Sequence, residues 1–282
     1  MIDLREMSGI LLYPLTALLY GALAFYYWRT QWRAAGQSNA PHSGPASAAH
    51  YYTLLPLALH TWTLSHSAFA PDGLHLGFGV AVSAILWLTV LIYWLGNFFY
   101  RLDGLQALVM PLAAVGVLLP LLAPEPKPLP NTELLAFQIH LLIAIVAYSL
   151  FTIASLHVLL MTLLERHLHQ GAMPIVLQRL PPLLTMEAML FRILWTGFVL
   201  LTLTLVTGVL FSEELFGKAA KFNHKTVFGF ASWLIFAALL GGRYAYGWRG
   251  RVAVRWTLAG FFTLVLAYIG SKFVLQVILG RP

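Results

Sequence analysis

Four histidines stand inside apolar runs of this chain, His60, His66, His140 and His157, and a fifth, His224, opens another such run. A neutral imidazole with one ring nitrogen held by a hydrogen bond offers the other to a metal. In hydrocarbon, an ionisable side chain needs a partner, a water cavity or a metal. The sequence contains no cysteine. That excludes disulfides, thiolate metal sites and a thiol relay, and leaves histidine as the best soft-metal ligand and methionine second. His42, His50, His75, His167 and His169 fall in connecting segments, where solvation is explanation enough.

The elements that must position these imidazoles are membrane spans. Hydrophobic residues make up 60% of the 282, charged residues 10%, and the mean hydropathy is +0.78. A soluble domain is roughly a quarter charged and could not cover so much apolar surface. Apolar windows run over 8–28, 51–70, 77–99, 105–123, 134–164, 189–212, 226–247 and 253–279. Each approaches the roughly 20 residues that cross a bilayer. The expected fold is all-α, a polytopic bundle of about eight transmembrane helices, with residues 1–282 forming a single integral membrane domain. No small-residue cleavage pattern follows the first window, so Met1 is expected to begin the mature protein.

The positive-inside rule orients the spans. One set of alternate connections holds Arg29, Arg33, Arg101, Arg166, Arg179, Arg192, Arg243, Arg249, Arg251 and Arg255 and no lysine. The other holds Lys127, Lys218, Lys221, Lys225 and Lys272, with Arg5 and Arg281 at the ends, diluted by five carboxylates. Both termini are expected outside. Residues 29–50, rich in Gly, Ser, Asn and Pro, form a flexible cytoplasmic loop, and 165–188, with Pro174, Pro181 and Pro182, lies along the cytoplasmic surface. The net charge of +7 records orientation. No basic stripe interleaved with aromatics lies outside the spans, so nucleic acid is excluded as a partner; the lipid bilayer is the first one.

Depth sorts the histidines, because a helix rises about 1.5 Å per residue. His60 lies near mid-bilayer, His66 nearer the outer surface, and His140 between those two levels. His157 lies towards the cytoplasm. His60 and His140 are therefore candidate metal ligands at compatible depth, with His66 or His224 the alternatives to His60. Two facing imidazoles walled by aromatics such as Phe151 and Trp233 describe a bis-histidine haem site. The competing reading is structural: intramembrane histidines bond between helices and aromatics pack. A second cluster, Gly241, Gly242, Arg243, Tyr244, Tyr246, Gly247, Trp248, Arg249, Gly250 and Arg251, reads as a tight basic turn or as a surface for anionic headgroups or an acidic partner.

The order of residues adds a resemblance. His224-Lys225-Thr226, Ser232-Trp233-Leu234-Ile235 and Gly247-Trp248-Arg249-Gly250-Arg251 before an apolar last span resemble the C-terminal third of the cytochrome c assembly family of haem-handling membrane proteins, which includes the CcmC, CcsA and HemX-like members. Leu180-Pro181-Pro182-Leu183-Leu184, Met186-Glu187, Leu201 to Leu205 and Thr207-Gly208 look like its YpjD-type branch, as do isolated histidines at His60 and His140. The resemblance implies a multi-pass bacterial inner-membrane protein that binds haem, of the b type, through His60 and His140, with His224 as a third candidate and Trp233 and Phe151 as walls. Haem-delivering members carry an external tryptophan-rich motif ending in Trp-Asp. The corresponding stretch here, Glu213 to Asn223, contains neither residue. Haem is therefore expected inside the bundle.

The expected function is haem binding in cytochrome maturation or in haem supply and its regulation, with a membrane or cytoplasmic protein partner. No residues are placed to convert a substrate, so an enzyme is not expected. The alternatives are a small-solute transporter or channel, and a scaffolding subunit without cofactor. A transporter calls for interrupted helices, repeated halves and mid-depth acids.

Overall fold

The computed structural model describes residues 4–31, 48–70, 73–100, 104–122, 128–129, 132–170, 180–210 and 224–270. The helices are α1 (Leu4–Gln31), α2 (Ala48–Tyr52), α3 (Leu54–Ala68), α4 (Phe78–Gly96), α5 (Gln106–Gly116), α6 (Leu119–Leu122), α7 (Leu135–Gln170), α8 (Leu183–Leu210), α9 (His224–Tyr246) and α10 (Arg251–Val265), the last running into a π-helical turn, Leu266–Gly270. A two-residue hairpin, β1 (Phe69–Ala70) against β2 (Gly73–Leu74), joins α3 to α4, with Phe69 opposite Leu74. The chain is an all-α polytopic membrane bundle.

Among the described residues six helices are long and apolar enough to cross a bilayer: Gly9–Thr30, Phe78–Gly96, Leu135–His167, Leu183–Val209, Lys225–Tyr246 and Arg251–Tyr268. The other two expected spans are shorter. The window at 51–70 breaks at Thr53, and the 15-residue α3 carries Pro56 in its first turn, where the missing N–H does no harm. The window at 105–123 divides into α5, with Pro111 inside it, and α6, with Pro120 at its second position. Of the surface segment at 165–188, residues 165–170 continue α7 and 183–188 open α8. The remaining expectations for 29–50, for the stretch 213–223 and for the chain ends fall largely or wholly outside the described residues.

The bundle has two halves. In the first, α1 packs on α5 and α3, and α4 on α3 and α5; in the second, α7 pairs extensively with α8 and also with α10, while α9 packs on α8 and α10. They meet where α4 lies on α7, and there the Ser149 hydroxyl donates to the Ile85 carbonyl at 3.0 Å. Between helices in lipid the attraction is close packing more than the hydrophobic effect. Gly260 illustrates it: a Cβ there would lie 2.8 Å from Phe236 Cζ, so only glycine lets that ring, itself stacked on Phe151, reach α10. Hydroxyls on α8 are satisfied along the helix, Thr202, Thr204 and Thr207 each donating to the carbonyl four residues earlier.

Candidate functional site

His60 sits midway along α3 and is fully buried. Its Nε2 shares a 2.9 Å hydrogen bond with the Ser83 hydroxyl of α4. Its ring meets Tyr20 of α1 edge-on, with centroids 5.7 Å apart. Among the described residues neither His60 Nδ1 nor the Tyr20 hydroxyl, also fully buried, has a hydrogen-bond partner. One nitrogen anchored and the other unsatisfied is the condition in which a buried imidazole can accept a metal. Left empty, each orphaned polar atom costs about 1–3 kcal/mol. The donor set thus fits a haem iron on His60.

His140 lies near the start of α7, half-buried, where its Nδ1 and the Thr207 hydroxyl of α8 lie 2.8 Å apart. A Cβ on the next residue, Gly208, would lie 3.3 Å from His140 Cε1, so α8 presents its smallest residue to the ring. The two candidate ligands therefore have different neighbours, His60 between α1 and α4 and His140 against α8. His224 begins α9, but its side chain lies outside the described residues. Phe151 is fully buried and stacked on Phe236 at 4.0 Å, with its ring edge against Gly197. Trp233 donates from Nε1 to the Thr202 hydroxyl at 2.9 Å and stacks on Phe198 at 5.5 Å. Both aromatics belong to the second half.

The remaining histidines separate cleanly. His66 is exposed and stacks on Trp62, and His157 is buried with Nε2 at 3.0 Å from the Met186 carbonyl. His50, placed in a loop by sequence reasoning, is instead buried against the end of α4, parallel to Trp94 and edge-on to Phe98. The short α2 folds it back there, and burial lowers its pKa. Among the described residues no three His, Asp or Glu side chains gather as a metal cage.

Sequence reasoning missed Glu187. It stands in the first turns of α8, at the edge of the span, where this carboxylate is only 8% exposed and accepts from Arg243 Nη1 at 2.8 Å, Arg249 Nε at 3.2 Å and the Gly250 N–H at 3.4 Å. It clamps the turn between α9 and α10, where Gly247 and Gly250 take positive φ of 66° and 54°. The signal available was three donors in one short turn with no nearby acid in sequence.

Residues 48–279 match the model of the cytochrome c assembly protein family. The chain belongs to that family. Its α1, with Tyr20, precedes the matched region but packs into it. The inner membrane protein YpjD of Escherichia coli K12 is 36% identical over 140 residues, 50% of this chain and 52% of that protein. The chain thus spans about half the length of the YpjD proteins it matches. A cytochrome c biogenesis protein CcsA of Prochlorococcus marinus is 36% identical over 88 residues, 31% of this chain and 28% of its own. An uncharacterised 28.8 kDa protein of Azospirillum brasilense, from a nifR3-like 5' region, is 30% identical over 97% of this chain and all of its own. No solved structure matches.

Proposed function

We propose that this member of the cytochrome c assembly family binds haem b within its bundle and acts in cytochrome maturation or in haem supply and its regulation, as a multi-pass protein of the bacterial inner membrane. Haem is the cargo or the signal, and the protein's work is to hold it. The observation that carries this reading is His60: a fully buried imidazole in mid-span, tethered through Nε2 to Ser83, with Nδ1 unsatisfied. Bound haem would bring an iron that an imidazole nitrogen can ligate. Ser83 fixes the ring's orientation, and the helices around it exclude water. His140 is the second proposed ligand, tethered in the same manner to Thr207. His224 is the third, with Trp233 and Phe151 as walls. The membership in a cytochrome c assembly family supports the role, and the absence of a Trp-Asp motif in 213–223 supports haem held inside rather than on an external shelf.

The test is the Soret absorbance per protein of detergent-purified material. Wild-type protein is expected to carry haem, and His60→Ala to lose most of it, with His140→Ala reducing it as well. His42→Ala, His167→Ala and charge reversal at Lys218 and Lys221 are expected to change nothing. A wild type without a Soret band after haem loading sinks the function. Full occupancy in both His60→Ala and His140→Ala sinks the ligand assignment.

A further inference from the structure

We propose that the corner where α7, α8, α9 and α10 end together binds the phosphate of an anionic phospholipid in the facing leaflet. Three ion pairs on two carboxylates hold these four ends together: Arg243 and Arg249 on Glu187, and Arg251 on Glu165 at 3.3 Å. Among the described residues these helix ends carry five arginines, Arg166, Arg243, Arg249, Arg251 and Arg255, against those two carboxylates.

The arrangement is built rather than scattered. Glu187 is buried and takes Arg249 through Nε, which leaves the two Nη groups of a 54% exposed side chain directed elsewhere. Arg251 and Arg255 are four apart on α10 and share a face. Arg251 is 79% exposed, and Arg255 is exposed with no hydrogen bond or ion pair among the described residues. Like charges at that spacing repel, and a phosphate between them turns the repulsion into attraction. Guanidinium forks suit phosphate oxygens. Position also matters: spans end at Tyr246 and begin at Arg251, so the corner lies at headgroup level. Tyr244 and Tyr246, 95% and 80% exposed, flank it with the amphipathic rings that favour this depth.

The experiment uses the full chain in nanodiscs of phosphatidylcholine mixed with phosphatidylglycerol. After extraction into detergent, lipids still bound are identified by native mass spectrometry. Wild type is expected to retain phosphatidylglycerol in preference to phosphatidylcholine. R255Q, which breaks no contact among the described residues, is expected to weaken that preference about fivefold, the effect of one basic side chain at an anionic surface, and R249Q with R255Q to abolish it. R29Q, on the last turn of α1 in the other half, keeps it. Retention in R255Q equal to wild type overturns the proposal. So does an equal loss in R29Q, which would show a general response to positive charge, or saturable binding of an acidic protein with no lipid preference.

Discussion

The two halves of the bundle treat buried polar groups differently. Among the described residues, α1 to α5 bury Tyr20, His50 and His60, each with a polar atom lacking a hydrogen-bond partner; α7 to α10 leave only Thr257 in that state. The second half pairs what it buries. Ser232 donates to the Gly260 carbonyl at 2.9 Å, Tyr148 to the Leu264 carbonyl at 3.0 Å, Trp233 to Thr202, and Glu187 takes three donors. An unsatisfied group in hydrocarbon is unfavourable, and it persists where a ligand can complete it. The first half therefore has the character of a receptor around His60, and the second that of a scaffold that also carries His140, Phe151 and Trp233. The joint between them, Ser149 on Ile85, lets one support the other.

The largest expected effect tests the scaffold. Glu187→Ala leaves Arg243 and Arg249 without their shared carboxylate and releases the Gly250 turn. Removing one partner of a fully buried pair costs about 3–5 kcal/mol. Because Arg243 and Arg249 are 32% and 54% exposed, the expected loss is about 2 kcal/mol, read as a lower melting temperature in detergent. A melting temperature equal to that of wild type would mean the clamp does not organise the turn. Gly260→Ala is next: the added Cβ meets the Phe236 ring at 2.8 Å and should destabilise by about 1–3 kcal/mol through overpacking.

A paired comparison sharpens the contrast most directly. Tyr20→Phe removes a buried hydroxyl without a partner, and is expected to stabilise the haem-free protein by about 1 kcal/mol. Ser232→Ala removes a bonded one and is expected to destabilise it by about the same amount. If Tyr20→Phe destabilises haem-free protein, the receptor half is not unsatisfied and the contrast fails.

The smallest effect concerns pH. Burial lowers the His50 pKa in the folded state, so the unfolded state binds more protons once pH falls through the usual histidine value of about 6.5. Stability is then expected to fall with pH below that point and to level off only beneath the lowered folded value. His50→Gln should flatten part of that slope in thermal melts recorded across the range. An unchanged slope would place the acid sensitivity elsewhere.

What the sequence by itself determined is the class and the positions of the spans. A chain so apolar must satisfy its backbone internally, and in a bilayer that leaves helices. The windows at 134–164 and 189–212 became the bodies of α7 and α8 because continuous apolar runs are legible without knowing their neighbours, whereas the first turns of α8, from Leu183, fell in the expected surface segment. The order of His224-Lys225-Thr226 and Gly247-Trp248-Arg249-Gly250-Arg251 carried the family. His60 could be picked out as an imidazole in hydrocarbon, and Proline marked where the second and fourth spans shorten. Tertiary structure alone decided the partners. Ser83 beside His60, Thr207 beside His140, Tyr20 edge-on from α1 and Glu187 beneath two arginines are separated in sequence by 23, 67, 40 and about 60 residues. Hydropathy has a period of one helix turn and reports which residues belong in lipid. Which of them touch is set by how the helices pack against one another, and that depends on pairs of residues the pattern along one helix never compares.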